Sequence, residues 1–132
     1  MSNAGFFVEV DGPLDDAVER FKAAMMDVGF GTLMDLDVRD LLDEKIGEEI
    51  EGYRLLGVCN PALAHRATRQ APDIGLFLPC GAFARELPSG RVRIGVIDPV
   101  ALQPMLGPDA DALCEEMAAA ATAFKEALAS LA

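Results

Sequence analysis

The spacing of hydrophobic and polar positions changes several times along the chain, and each change marks an element. Phe6, Val8 and Val10 alternate with Phe7 and Glu9, which predicts a short strand over 6–10. Asp11-Gly12-Pro13 predicts a turn, with Pro13 suited to a first helical position. Leu14, Ala17, Val18, Phe21, Met25 and Val28 then recur at three- and four-residue spacing, a helix with one apolar stripe that Gly29 stops. Phe21 and Met25 lie on that stripe and are expected in the core. Alternation returns from Gly31 to Val38. Thr32, Met34, Leu36 and Val38 fall on one face and Asp35, Asp37 and Arg39 on the other, a strand buried on one side and wet on the other. The acidic stretch from Asp40 to Ile46 reads as a short helix closed by Gly47, its charges forming a solvated face.

Tyr53 to Cys59 reads as the third strand. Asn60 is a favoured N-cap and Pro61 a favoured first residue, so a helix is expected from there to about Gln70, broken by Ala71-Pro72-Asp73. Ile74 to Arg85 reads as a fourth strand, apolar on both faces at first and therefore central, with Pro79 marking a bulge or an edge position. Leu87-Pro88-Ser89-Gly90 is a turn, and Arg91 to Ile97 returns as a fifth strand with Val92, Ile94 and Val96 inward. Val100 to Leu106 is a short helical or irregular connection after Asp98-Pro99. Beyond Gly107-Pro108 the last helix buries Leu113, Met117, Ala120, Ala121, Phe124, Leu128 and Leu131, and Cys114 beside that stripe is expected to be buried. The order β-α-β-α-β-α-β-β-α predicts an α+β fold over residues 5–132: a single domain with a mainly antiparallel five-stranded sheet, two long helices on one face and shorter connecting helices. Residues 1–4 are set apart as a tag remnant or disordered start, because Ser2-Asn3-Ala4 resembles the scar of a cleaved tag.

Composition narrows the function classes. At 132 residues and 52% hydrophobic the chain can bury a full core without a disulfide or metal. Its mean hydropathy of +0.24 argues against disorder. A net charge of −11 argues against nucleic acid and against an anionic membrane surface as partners. No apolar run is long enough to span a bilayer, no secretory signal opens the chain, and three cysteines fit a reducing compartment, so a cytoplasmic location is expected. The charge is uneven. Asp35 to Glu51 is crowded with acids, whereas Arg54, Arg66, Arg69, Arg85, Arg91 and Arg93 follow with few acids among them. Such a patch could receive a small anion or an acidic partner; the alternative is that the arginines pair with the acidic segment, within the fold or across a dimer.

The candidate chemistry lies between Tyr53 and Cys80. The amide groups at the Asn60-Pro61 helix start favour an anion and would favour the thiolate of a cysteine beside them. The candidate ligand-binding set is Cys59, Asn60, Pro61, His65, Arg66, Arg69 and Cys80. A redox pair of Cys59 and Cys80 lacks the tight Cys-X-X-Cys spacing, and a metal site of Cys59, Cys80, His65 and Asp98 lacks paired short-spacing ligands. Buried, inert thiols are the plainer alternative. The two sulfurs meet if the strands before them run parallel and need not meet if they run antiparallel. No phosphate-binding loop, dinucleotide fingerprint, nucleophile elbow or His-Glu-x-x-His is present. No catalytic residue, cofactor or metal is therefore assigned, and the expected function is non-enzymatic binding of a small anion or a protein partner. A thiol-based redox or metal protein is the alternative.

Tyr53-Arg54-Leu55-Leu56-Gly57-Val58-Cys59-Asn60-Pro61, then Ala64, then Ile74-Gly75-Leu76-Phe77-Leu78-Pro79-Cys80, resembles the core signature of the domain-of-unknown-function 302 (DUF302) family. Gly29-Phe30-Gly31 and Ile97-Asp98-Pro99 fit the same layout, and the resemblance runs from Phe6 almost to the end. Members of that family often have an asparagine after the second cysteine, where this chain has Gly81; others lack both cysteines but keep the Asn-Pro turn. The resemblance implies a compact bacterial-type α+β domain, often a homodimer, with Asn60 and Pro61 as determinants of the fold and with no assigned catalytic residue.

Overall fold

The computed structural model describes residues 3–132; Met1 and Ser2, the first half of the segment set apart above, lie outside the described residues. The elements are β1 (Gly5–Val10), α1 (Leu14–Asp27), β2 (Gly31–Asp37), α2 (Val38–Ile46), β3 (Tyr53–Cys59), α3 (Pro61–Gln70), β4 (Cys80–Glu86), β5 (Val92–Ile97) and α4 (Cys114–Leu131). Short 3₁₀ segments cover Pro72–Phe77, Pro99–Met105 and Gly107–Asp109. The strands form one sheet in the order β1-β5-β4-β3-β2, with every neighbouring pair antiparallel. β4 is central, although the apolar run that suggested this lies before the strand rather than in it.

α1 and α4 cover one face. Phe21 and Met25 of α1 and Phe124 of α4 are fully buried against Val92, Ile94, Val96, Leu56 and Val58 from the sheet. Phe30 meets Phe124 edge to face at 4.7 Å, tying the start of β2 to the last helix. A second cluster joins Ala67 and Ala71 at the end of α3 to Ile74, Leu113 and Met117.

Three expectations are corrected. The first is the facing of β2. Thr32 pairs with Val58 but Met34 pairs with Gly57, so Leu33 is a bulge that reverses the alternation beyond it. Met34 and Leu36 therefore turn away from the helices, 47% and 40% exposed, and Asp35 turns toward α1. There Arg54 Nε donates to Asp35 Oδ1 at 2.7 Å, Arg54 also meets Asp15, and Lys22 Nζ lies 2.7 Å from Asp35 Oδ2. The Arg54 hydrogen bond, aided by Lys22, brings the Asp35 pKa down to about 2. Val38, expected at the end of the strand, opens α2 instead, where Asp37 caps by accepting from the Asp40 amide.

The second correction concerns Ile74–Cys80. These residues do not extend β4; Pro72–Phe77 is a 3₁₀ turn, the Leu78–Pro79 peptide is cis, and pairing begins at Cys80. Proline offers no amide to a ladder at 72 or 79. Three-residue spacing of Ile74 and Phe77 lets the run bury against α3 and α4 rather than in the sheet. The third is Cys114, which is exposed. It opens α4 one position beyond the stripe residue Leu113, which is buried.

With all long helices on one side, the other sheet face is open. Its cross-strand rows can be read from the register. Met34, Gly57, Gly81, Ile97 and Gly5 form a glycine-rich row, and Leu36, Leu55, Phe83, Gly95 and Phe7 an apolar one. Tyr53, Arg85, Arg93 and Glu9 form the third. Tyr53 stacks on Phe83 at 5.7 Å, and the Arg93 guanidinium lies 4.5 Å over the Phe7 ring.

Candidate ligand site at the β3–α3 corner

Asn60 starts α3 as its sequence predicts. Its Oδ1 accepts from the Leu63 amide at 3.0 Å, Pro61 follows as the first helical residue, and the Ala64 amide donates to the Asn60 carbonyl at 2.9 Å. These contacts change the reading of the helix start as an anion site. Pro61 has no N–H and two amides are already bonded, so Ala62 supplies the one free donor of that turn among the described residues.

Beneath this corner lies a pocket of about 70 Å³, bounded by α3, the Pro72–Phe77 turn, the Pro99–Met105 segment and α4. Cys59, Asn60 and Cys80 line it, together with Leu63, Phe77 and Met117. The structure thus brings three of the seven predicted site residues to one cavity. His65, Arg66 and Arg69 project from α3 and are exposed, and Pro61 is exposed at its start. The six arginines do not form one patch: Arg54 and Arg91 are held by Asp35 and Asp11, and Arg85 and Arg93 stand on the open sheet face.

The two cysteines are neighbours although their strands run antiparallel. Cys59 ends β3 while Cys80 begins β4, paired with Val58, so the antiparallel register places them at the same end of the sheet. Both are free thiols. Burial, with a smaller contribution from Cys59 nearby, pushes the Cys80 pKa up to about 11. At neutral pH Cys80 is therefore protonated and a poor nucleophile. Among the described residues no three His, Cys, Asp or Glu side chains lie close enough to hold a metal, so Cys59, Cys80, His65 and Asp98 do not form a ligand set. Asp98 instead accepts from the Val100 amide at 3.0 Å.

The residue that sequence reasoning missed is Glu116. It lines the pocket from the first turn of α4 with its side chain only 10% exposed. Its Oε1 accepts from Gln70 Nε2 at 3.1 Å and faces Arg66 Nε at 4.0 Å, while Oε2 is buried with no partner. The signal was present: Glu116 stands three residues after Leu113 and beside Met117, an acid at a stripe position.

Fold and site define an α+β domain with one covered and one open sheet face and an apolar pocket at a strand–helix corner. The chain belongs to the DUF302 family, described as a domain of unknown function, whose profile matches residues 6–131. It is similar to an uncharacterized conserved DUF302 protein from Bacillus stearothermophilus, known from a crystal structure, with a TM-score of 0.87 and 27% identity. That match covers 97% of this chain and 98% of the other. No curated protein matches the chain. No helix among the described residues is long and apolar enough to cross a membrane.

Proposed function

We propose that this domain is a non-enzymatic binding module whose ligand is a small molecule held in the pocket beneath the β3–α3 corner. The observation that carries this reading is the lining: a small, half-open, largely apolar cleft on which Cys59, Asn60, Cys80 and Glu116 converge. Apolar walls with a few convergent polar groups are the usual make-up of a small-molecule site. The pocket replaces the helix start as the ligand's seat, because the cap and Pro61 leave that turn a single free amide. Arg66 and Arg69 stand outside the cavity, on the solvent side of α3. Native mass spectrometry of freshly purified protein tests the proposal. Bound mass lost on denaturation supports it, and a clean apo mass that stays unchanged across a small-molecule panel counts against it.

The adjacency of Cys59 and Cys80 favours a second reading, a reversible thiol pair, but the raised pKa of Cys80 opposes it. The same spectra decide this: a mass two hydrogens lower, restored by reductant, supports the pair. We also infer that the domain self-associates through the open sheet face, where Met34, Leu36 and Leu55 stand exposed in adjoining strands. Light scattering reporting the mass of one chain would sink that inference.

A further inference from the structure

We propose that the open sheet face carries a second ligand site, in which Arg85 and Arg93 hold the head of an apolar organic anion and Phe7 and Phe83 carry its body. This does not rest on the corner-pocket reading. Arg85 and Arg93 are direct partners in the β4–β5 ladder, and both line a groove of about 870 Å³ on that face. Two like charges set opposite each other across strands destabilise a sheet, and an anion between them removes that cost. Neither guanidinium makes an ion pair among the described residues, in a chain where acids outnumber bases 22 to 11. Glu9 stands opposite Arg93 and Glu51 borders the groove, yet neither carboxylate pairs with them. Arg54, Arg66 and Arg91, by contrast, each face an acid.

The groove also has a floor for an apolar body. Gly95 lies between Phe7 and Phe83 in the next cross-strand row, and a side-chain carbon there would stand 2.5 Å from Phe83 and 2.9 Å from Phe7. The glycine thus lets the two rings lean over the strand, 6.4 Å apart. Arg93 lies over Phe7, a contact that steadies the guanidinium without supplying a counter-charge. Pro79, against Gly57 two rows from the arginines, and Leu76, 85% exposed, continue the apolar lining. From the Arg93 row to the Ile97 row the floor runs about 13 Å. Guanidinium groups bind carboxylates and phosphates through charge-assisted hydrogen bonds, roughly twice as strong as the neutral bonds an alcohol makes. A cation is repelled by the same pair. The self-association patch of Met34, Leu36 and Leu55 meets this groove only at Leu55.

The test uses the full chain, ¹⁵N-labelled, titrated with 4-phenylbutyrate, with its alcohol and ammonium analogues, and with acetate. Saturable amide shifts centred on Phe7, Arg85, Arg93 and Gly95 are expected with 4-phenylbutyrate, at an affinity roughly tenfold or more above those of the alcohol and of acetate, and none with the ammonium. The 4-phenylbutyl phosphate ester assigns the head: tighter binding marks a phosphate, weaker binding a carboxylate, and both support the site. The double variant Arg85→Gln with Arg93→Gln is expected to fold, since it removes the opposed like charges, and to bring 4-phenylbutyrate down to the level of the alcohol. The wild-type comparison is decisive even if that variant folds poorly. Equal affinity for 4-phenylbutyrate and the alcohol overturns the part given to the arginines, equal affinity for acetate that given to the rings, and either result sinks the proposal. Shifts confined to Leu63 and Met117 place the ligand in the corner pocket and overturn the sheet-face site alone. No shift with any of them overturns it as well, whatever mass light scattering reports.

Discussion

Asn60 Oδ1 accepts the Leu63 amide while its Nδ2 lies 3.0 Å from where a side-chain carbon on Gly29 would stand, so the two residues constrain one another. Gly29 is also at φ +89°, which disfavours any other residue. Asn60→Ala is expected to cost about 1 kcal/mol, read as a lower urea midpoint at unchanged slope. That pairing explains why the Gly29 turn and the Asn60 cap occur together, and each was legible alone because caps and turns are local grammar. Ionisation at two further residues makes stability depend on pH. Asp35 has its folded pKa depressed to about 2, so its contribution is present above about 4 and lost as pH falls toward 2. Cys80 is raised from 9.0 to about 11, so its contribution is intact below 9 and lost as pH climbs through 11. The alkaline loss amounts to about 2–3 kcal/mol. Denaturant titrations at pH 8 and 11 should show it in wild type and not in Cys80→Ala; an equal alkaline loss in both would refute the assignment.

Among elements, β1, α1, β3, α3, β5 and α4 each follow one periodicity within 6 to 18 residues, and their sequences announced them. β2 and the Ile74–Cys80 run did not obey theirs. A single bulged residue at Leu33 reverses Met34, Asp35 and Leu36, and only the pairing with β3 decides where that residue is inserted. For Ile74 to Cys80 the apolar pattern was right about burial at Ile74 and in part at Phe77 and Leu78, but Leu76 is 85% exposed, and the pattern was silent about what the run packs against. The corner before β4 has its own steric requirement. A carbon added at Gly57 would stand 2.6 Å from Pro79 Cγ, whereas one added at Gly81 in the neighbouring strand meets nothing within 4 Å. Gly57→Ala should therefore lower stability by about 1–3 kcal/mol, since a rigid ring cannot yield. Gly81→Ala should be neutral or stabilise by up to about 1 kcal/mol through the unfolded chain. Thermal unfolding of the two variants side by side checks both signs, and a loss of equal size at the two sites would refute the steric account.

On the scale of the whole molecule, the sheet divides the chain into a closed side that holds the core and an open side of apolar rows. Sequence reasoning reached the two-layer plan, because the helical stripes need a face to cover. It did not reach the exposure of Met34 and Leu36, which depends on the bulge, nor the Glu116 pocket, which needs α3, α4 and the turn between α3 and β4 in place. If the open face joins two copies, Leu55→Glu in its middle should leave folding intact and halve the mass seen by light scattering. Each copy carries a charge of −11, so association should tighten as salt is added and repulsion is screened. A dimer that ignores both changes would place the contact elsewhere.

The stacked ring on the open face has an optical consequence. The chain has one tyrosine and no tryptophan, so emission excited at wavelengths that phenylalanine does not absorb comes from Tyr53 alone. Tyr53 begins β3 and Cys59 ends it, about 20 Å apart along an extended strand. Without any label, quenching or a spectral shift reports what happens on the sheet, while a guest entering the corner pocket leaves the signal unchanged. Events at the two ends of one strand can thus be told apart in a cuvette.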